Sequence, residues 1–240
     1  MKDIRGLKKI EIDYHLKQWD NTYRSTIFFY EFVKKHLEKS NKIIDLGCGI
    51  GSSTYYISNF HKKCEFIGID YSKRYIDIGN SIIKSKKLNN LKLAQDDCFN
   101  LKKYQKVDGV ISIQTLSFLT EFETPLKEVF IKINPDWIGI SSLFYEGDIT
   151  IKSKIIQKEK NPTNPSLTYN TYSIPAVEKY CGKYGYKIDQ YIPFEIDIDI
   201  DKPMDLNKMS TYTVNTIDNK KLQISGPLLM NWYFILIKKI

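Results

Sequence analysis

Residues 41–53 of this 240-residue chain read NKIIDLGCGIGSS. An apolar run at 42–44 predicts a short buried strand, and Gly47, Gly49 and Gly51 predict a tight turn that opens a helix. Glycine has no Cβ, so a ligand can lie directly against the backbone there, beside the free N–H groups of the helix N-terminus. The stretch therefore predicts a ligand site at the carboxyl edge of a parallel sheet.

The spacing of the glycines separates two classes of nucleotide-binding protein. The dinucleotide fingerprint G-x-G-x-x-G would need glycine at position 52, which is serine here, and this disfavours a nicotinamide-dependent oxidoreductase. With Asp45 two residues before the first glycine, the series DLGCGIG resembles the first motif of the class I S-adenosylmethionine-dependent methyltransferases. This resemblance implies that Asp45, Gly47, Cys48 and Gly49 bind S-adenosylmethionine.

A second predicted strand, at 64–69, ends at Asp70. An acidic residue about 20 positions beyond the glycine turn can accept hydrogen bonds from both ribose hydroxyls of a nucleoside. Tyr71 follows, where this methyltransferase class commonly places a residue against the adenine ring. Asp70 and Tyr71 are therefore predicted to bind the adenosine part of the cofactor.

A third predicted strand, at 91–95, ends in the sequence DDCFNL. This segment resembles the family's G-D-A-x-x-L motif, and the resemblance implies that Asp97 holds the adenine amino group and the Cys98 backbone N–H a ring nitrogen. Asp96 stands where the motif has glycine. Which of the two aspartates points into the site therefore stays open.

A fourth predicted strand, at 107–113, ends in the sequence QTLSF, where the resemblance places the methyl group, next to Ile113. The segment has neither an N/D-P-P-Y-like turn, nor a Pro-Cys nucleophile, nor the histidine pair of some small-molecule members. Gln114 is therefore predicted to contact the acceptor.

Tyr145 and Glu146 follow a fifth predicted strand, at 137–144. Because neighbouring strand ends meet over one crevice, we expect both residues to flank the methyl group together with Gln114. For a hydroxyl acceptor, Glu146 or Tyr145 is the predicted base.

The order of these segments predicts an α/β fold of one domain. The resemblance implies a Rossmann-like doubly wound sheet of about seven strands with helices on both faces and the last strand antiparallel. Residues 41–240 would form the methyltransferase domain, with a substrate-side insertion at about 145–173 and an added β-hairpin at about 211–225.

Residues 1–40 are predicted to form a helical lid. Trp19 in this segment is expected to contact the cofactor, as lid residues of the family do. The alternative, that Tyr14, Trp19 and Tyr23 only cover one edge of the core, stays open.

The composition narrows the class of partner. The net charge is +8, but the 36 basic residues include only three arginines, so we interpret the charge as compositional bias and not as a nucleic-acid footprint. The four cysteines have no metal-ligand spacing and the three histidines are isolated, so no metal is expected. There is no apolar run of about 18 residues and no signal-like N-terminus, which predicts a cytoplasmic protein without a membrane segment.

The leading hypothesis is an S-adenosylmethionine-dependent O- or N-methyltransferase with a small-molecule acceptor. The hairpin and the sequence SGP at 225–227 resemble those of bacterial methyltransferases of surface-polysaccharide or natural-product pathways, which implies a sugar-linked or phosphorylated metabolite. An RNA methyltransferase and a cofactor-binding subunit without catalysis are the alternatives. The sequence leaves the oligomeric state open.

Overall fold

The structure, a computed structural model, describes residues 9–155, 167–202, 204, 211–225, 228–229 and 232–240. Its helices are α1 (Lys9–Asp20), α2 (Arg24–Leu37), α3 (Ser52–Ser58), α4 (Lys73–Ser85), α5 (Glu123–Glu128) and α6 (Ile174–Gly182). A 3₁₀ turn covers Leu116–Phe118, and a π-helical turn at Val129–Ile133 continues α5. The strands are β1 (Lys42–Leu46), β2 (Glu65–Asp70), β3 (Leu91–Gln95), β4 (Gly109–Ile113), β5 (Trp137–Tyr145), β6 (Lys154–Ile155), β7 (Leu167–Thr168), β8 (Tyr172–Ser173), β9 (Tyr186–Pro193), β10 (Thr211–Asn215), β11 (Lys221–Ser225), β12 (Leu228–Leu229) and β13 (Trp232–Lys239).

The main sheet has the strand order β3-β2-β1-β4-β5-β13-β9, and β8 pairs with the far end of β5. Strands β1 to β5 run parallel to their neighbours, whereas β13 is antiparallel to both β5 and β9. The order of strands therefore reverses between β1 and β4, where a ligand crevice forms at the carboxyl ends of an open α/β sheet. This topology confirms the predicted Rossmann-like sheet with its last strand antiparallel.

Two hydrophobic cores lie on opposite faces of the sheet. Successive residues of a strand point to opposite faces, so Ile43 belongs to the core under α2, α3 and α4, and Ile44 to the core under α5 and α6. Both side chains are fully buried. The central strands are therefore apolar without alternation, as sheets covered by helices on both faces require.

The C-terminal hairpin forms as predicted, from β10 and β11 paired antiparallel. It makes a separate sheet with β12, however, and β12 does not belong to the final strand of the main sheet. Leu228 pairs with Ser225, while the last strand of the main sheet begins at Trp232.

The other predicted segments are described in part. Residues 1–8 of the predicted lid and 156–166 of the predicted insertion lie outside the described residues. In the described part of the insertion, the short strands β6 and β7 pair with each other and β8 extends the edge of β5. Among the described helices, none is long and apolar enough to cross a membrane.

Candidate cofactor and acceptor site

The glycine turn lies between the ends of β1 and β2. Gly47, Gly49 and Gly51 have φ angles of 77°, 57° and 83°, in the left-handed region that favours glycine. The N–H groups of Gly47 and Cys48 both donate to the Ile69 carbonyl, at 2.8 and 3.0 Å. The end of the neighbouring strand therefore holds the turn in its strained conformation.

Thr115 joins the turn to the exit of β4. Its hydroxyl donates to the Gly47 carbonyl at 3.1 Å, and its side chain lies 2.3 Å from the point where a Cβ on Gly47 would be. Glycine is thus required at position 47 by the approach of Thr115 as well as by φ. Gly49 is different, because among the described residues a Cβ there would meet only the His15 ring, at 3.7 Å.

Asp45 is a buried acid beneath the turn, with 2% of its surface exposed. One carboxylate oxygen accepts a hydrogen bond from the Thr54 hydroxyl, while Oδ1 has no partner among the described residues. Burial raises the pKa of Asp45 to about 7; the nearby Asp70 charge adds to this effect, and the Thr54 bond opposes it. A cationic ligand group would supply the missing partner and stabilise the carboxylate.

Asp70 is fixed at the end of β2 by two backbone donors. Its Oδ2 accepts from the Gly49 N–H at 3.0 Å, and its Oδ1 from the Ser72 N–H at 2.8 Å. A carboxylate oxygen can accept more than one hydrogen bond, so these contacts orient the group and leave acceptor capacity for ribose hydroxyls. Tyr71 is half-buried beside it and accepts a hydrogen bond from the Gln95 side chain at its carbonyl.

The aspartate pair after β3 divides into two roles. Asp96 is buried, and its Oδ2 accepts from the Tyr104 hydroxyl at 2.7 Å and from the Lys102 N–H at 3.2 Å. Asp97 is half-buried and accepts from the Phe99 N–H at 2.9 Å. The Asp96 carboxylate therefore stabilises its own loop. This is consistent with Asp97 as the residue that binds adenine, which stays a prediction.

The two predicted cysteine contacts lie at the same edge of the sheet. Cys48 and Cys98 are both half-buried. Burial, reinforced by the charges of Asp70 and Asp45, raises the pKa of the Cys48 thiol well above its ordinary value. Cys48 is therefore a neutral thiol in the turn, suited to packing and not to nucleophilic chemistry.

Helix α1 lies across α3, the helix that follows the glycine turn. Trp19 stacks on Tyr55 with ring centroids 4.7 Å apart, and the Ser52 hydroxyl donates to Gln18 Oε1 at 3.3 Å. Trp19 thus packs on the helix, whereas the ring of His15, one turn earlier on the same face of α1, lies where it would meet a side chain at Gly49. The sequence reasoning missed His15, although its i,i+4 spacing from Trp19 was a usable signal.

Gln114 stands at the exit of β4 with φ of 56°, a conformation that side chains other than glycine seldom adopt. Its N–H donates to the Ser141 carbonyl at 2.8 Å, and its side-chain amide donates to the Ser25 hydroxyl at 3.0 Å. Backbone strain of this kind concentrates at functional sites. Ile113 and Thr115 on either side are half-buried, so this exit borders open space.

Tyr145 and Glu146 lie further out than expected. Strand β5 continues past the end of β4, because Ile113 pairs with Ser141. At about 3.3 Å per residue, Tyr145 lies about 13 Å further along the strand than Ser141. The structure therefore does not bring Tyr145 and Glu146 together with Gln114, because neighbouring strands of unequal length do not end at one level.

Glu146 has a structural partner at that outer position. The Tyr233 hydroxyl donates to Glu146 Oε1 at 2.9 Å. Burial, the hydrogen bond with Glu146 and its charge raise the pKa of Tyr233 to about 12, so the tyrosine keeps its proton and donates. Glu146 is thereby held as an acceptor at the junction of β5 and β13.

Comparison with known proteins decides the family. The profile of a family described as a methyltransferase domain matches residues 37–184, which include the glycine turn, Asp70, Asp97 and the exits of β4 and β5. The chain belongs to the class I S-adenosylmethionine-dependent methyltransferases. Its cofactor is S-adenosylmethionine.

Individual relatives of this methyltransferase are distant. It is 22% identical over 143 residues to the (S)-coclaurine N-methyltransferase of Papaver somniferum, a match that covers 60% of this chain and 39% of that enzyme. It is 24% identical over 161 residues to the ribosomal RNA small subunit methyltransferase G of Clostridium novyi, which covers 59% of this chain and 65% of that enzyme.

A solved structure supports the fold over nearly the whole chain. The O-methyltransferase of a trans-AT PKS multienzyme from Brevibacillus brevis, in complex with S-adenosyl-L-homocysteine, superposes with a TM-score of 0.62 at 13% identity, over 98% of this chain and 81% of that one. At this level of identity the likeness concerns the fold alone.

The methyltransferase's own residues fit the cofactor. The unpartnered Asp45 Oδ1 suits the ammonium group of the methionine part, and Asp70 suits the ribose hydroxyls. A side chain at Gly49 would project towards the ring of His15, so its absence leaves the backbone there open to close approach.

Proposed function

We propose that this methyltransferase transfers the methyl group of S-adenosylmethionine to an oxygen or nitrogen of a small molecule. The observation that supports cofactor binding is the buried Asp45 carboxylate, which lies directly beneath a turn of three left-handed glycines. Its Oδ1 has no hydrogen-bond partner among the described residues. A buried acid without a partner is costly unless a ligand supplies one.

The exit of β4 supports a small acceptor without strong charge. Residues 113–120, IQTLSFLT, contain no ionisable side chain. Arg24, at the start of α2 close to Gln114, is engaged in a bidentate ion pair with Asp197. An RNA backbone would need cationic groups at this opening, and residues 113–120 themselves supply none.

Gln114 is the residue we assign to acceptor positioning. S-adenosylmethionine supplies a methyl carbon already activated by its sulfonium, so transfer requires mainly that an acceptor lone pair is aligned behind that carbon at about 3 Å. The hydrogen bond to Ser25 and the strained backbone hold the Gln114 amide in one place. An amide so fixed can orient a neutral amine or a hydroxyl, although it cannot take up a proton.

Tyr145 and Glu146 are assigned to the outer rim of the acceptor opening. Tyr145 is 40% exposed, and Glu146 is fastened to Tyr233. Both could contact the distal part of a longer acceptor, such as the sugar-linked or phosphorylated metabolite that the C-terminal hairpin suggests. We expect Glu146→Gln to change the KM of such an acceptor more than kcat, whereas loss of a positioned base would lower kcat by about 10².

An RNA acceptor is the second candidate. It is favoured by the similarity to a protein named as a ribosomal RNA methyltransferase and by the net charge of +8. The uncharged exit of β4 argues against it. A cofactor-binding subunit without catalysis would bind the cofactor and methylate nothing.

The test begins with the protein as purified. Mass spectrometry should find S-adenosylmethionine or S-adenosylhomocysteine bound, and calorimetric titration should give a Kd that Asp70→Ala weakens by about tenfold or more, because two ribose hydroxyls lose a charged acceptor. Asp77→Ala, which removes an exposed acid of α4, is the matched control. A screen of small amines, nucleotide sugars, phosphorylated sugars and ribosomal RNA for release of S-adenosylhomocysteine would then identify the acceptor class. Absence of cofactor binding by the wild-type protein would refute the proposal.

A further inference from the structure

His15 occupies a place on the cofactor turn that no motif of the sequence predicts. Its ring atoms Cε1 and Nδ1 lie 3.7 and 3.8 Å from the point where a Cβ on Gly49 would be. The same ring packs edge-on against Tyr75, in the first turn of α4, with centroids 4.9 Å apart. The imidazole therefore bridges the turn after β1 and the helix after β2.

Gly49 is the point at which His15 and Asp70 meet. The Gly49 N–H donates to Asp70 Oδ2 at 3.0 Å, while the missing side chain of the same glycine faces His15. Because Asp70 is bonded to the Gly49 N–H, a ligand held by Asp70 would lie next to this glycine. A side chain held against it from α1 lies within reach of that ligand.

The charges of the cofactor require both an acidic side chain and a hydrogen-bond donor in this region. The methionine part of S-adenosylmethionine carries an ammonium and a carboxylate on one carbon, and each needs a partner of opposite character when water is excluded. Asp45 suits the ammonium. The described side chains nearest to a Cβ built on each of the three glycines are those of His15, Leu93 and Thr115, and of these three only His15 can carry a positive charge.

Helix α1 holds His15 in position. The stack of Trp19 on Tyr55 and the bond between Ser52 and Gln18 attach the helix to α3 one turn further along. Residues four apart lie on the same helical face, so this attachment directs His15 towards the turn. Its contact with Gly49 is therefore a feature of the docked helix and not of a mobile surface side chain.

We propose that His15 is a cofactor-binding residue whose ring N–H donates to the α-carboxylate of S-adenosylmethionine. The inference rests on the proposed function, because it assumes this cofactor. Burial lowers the pKa of His15, so the free protein presents a neutral ring that still has one N–H donor. A bound carboxylate strengthens that hydrogen bond and favours protonation of the ring.

The experiment compares two ligands that differ in the amino-acid part. S-adenosylhomocysteine contains the carboxylate, and 5′-methylthioadenosine contains the same nucleoside without it. Calorimetric titration should show that His15→Ala weakens S-adenosylhomocysteine binding by about tenfold and changes methylthioadenosine binding by less than about twofold, the loss expected for one charged hydrogen bond. His15→Gln, which keeps an N–H donor, should recover part of the loss. Lys17→Ala, an exposed change on the same helix, should leave both affinities unchanged.

Each alternative result has a defined meaning. Unchanged S-adenosylhomocysteine affinity in His15→Ala would overturn the proposal. An equal loss for both ligands would also overturn it, because His15 would then act through the docking of α1. If His15→Ala does not fold, the same comparison is made with His15→Gln. A larger loss of affinity for S-adenosylhomocysteine than for methylthioadenosine then supports the proposal, and equal losses or no loss overturn it. Failure of the wild-type protein to bind either ligand would instead refute the proposed function.

Discussion

At the scale of single residues, Asp45 links cofactor binding to pH. Its pKa in the folded protein is about 7, above the ordinary value of 3.8. Between pH 3.8 and about pH 7, the Asp45 carboxyl therefore binds a proton more tightly in the folded chain than in the unfolded chain. Its contribution to the stability of the cofactor-free protein is therefore full at low pH and is lost as pH rises through about 4 to 7. A cationic ligand group binds the ionised form of Asp45, so the affinity for such a ligand should increase as the pH rises towards about 7.

We expect the affinity for S-adenosylhomocysteine to rise with pH up to about 7 and then to level off. Asp45→Asn should remove this dependence, weaken binding, and raise the unfolding temperature of the cofactor-free protein at about pH 8, where the wild type carries a buried charge. Calorimetric titration and thermal unfolding across this range would measure both effects. A pH dependence that Asp45→Asn leaves intact would assign it to another group.

Substitution of Gly49 should affect cofactor binding without affecting the fold. Gly49→Val should abolish cofactor binding, because a β-branched side chain would project from the turn and strain φ of 57°, while the sheet below it persists. Gly182→Ala, at the end of α6, is the matched control because a Cβ there meets nothing within 4 Å. Circular dichroism and calorimetric titration together would distinguish the two effects. Full binding by Gly49→Val would exclude the turn from the site.

At the scale of elements, the docking of α1 on α3 depends on Trp19. Trp19 is 7% exposed, and its stack on Tyr55 is the principal aromatic contact described for this helix. Trp19→Ala should release α1, make the peptide bond after Lys17 cleavable by trypsin and weaken cofactor binding. Truncation of a buried tryptophan costs about 3 kcal/mol or more. If only α1 opens, the global unfolding temperature falls less than in Phe29→Ala, which truncates the fully buried core. Leu16→Ala, an exposed change on α1, is the control for proteolysis. Cleavage of Trp19→Ala at the wild-type rate would contradict the attachment.

The elements of the nucleotide-binding half could be predicted because each is marked locally. The third strand runs from Leu91 to Gln95 as expected, and the buried Ile43 and Ile44 lie in the first strand. The stagger between β4 and β5 could not be predicted, because register depends on pairing between distant segments. Tyr145 and Glu146 were for that reason expected beside Gln114, and His15 was missed because its contact with Gly49 depends on how α1 docks.

At the scale of the whole molecule, the charge of +8 predicts non-specific attraction to nucleic acid. We expect RNA binding that is weak, falls steeply between about 50 and 200 mM salt, and leaves the affinity for S-adenosylhomocysteine unchanged. Filter binding and calorimetry at several salt concentrations would measure this. RNA binding that persists at high salt and depends on bound cofactor would favour the RNA methyltransferase instead.

The contact between Thr115 and Gly47 has a consequence for how the enzyme is made. These residues are 68 positions apart, and they meet only when β4 has inserted beside β1 in the middle of the sheet. A growing chain from which β1, the glycine turn and β2 have emerged from the ribosome thus contains the glycine motif. It still lacks β4 and Thr115, which pack against that motif in the finished sheet. Long-range pairings of this kind form after local ones. Competence to hold the cofactor is therefore acquired only after residue 115 has left the ribosome, and a ligand cannot template the earlier steps of folding.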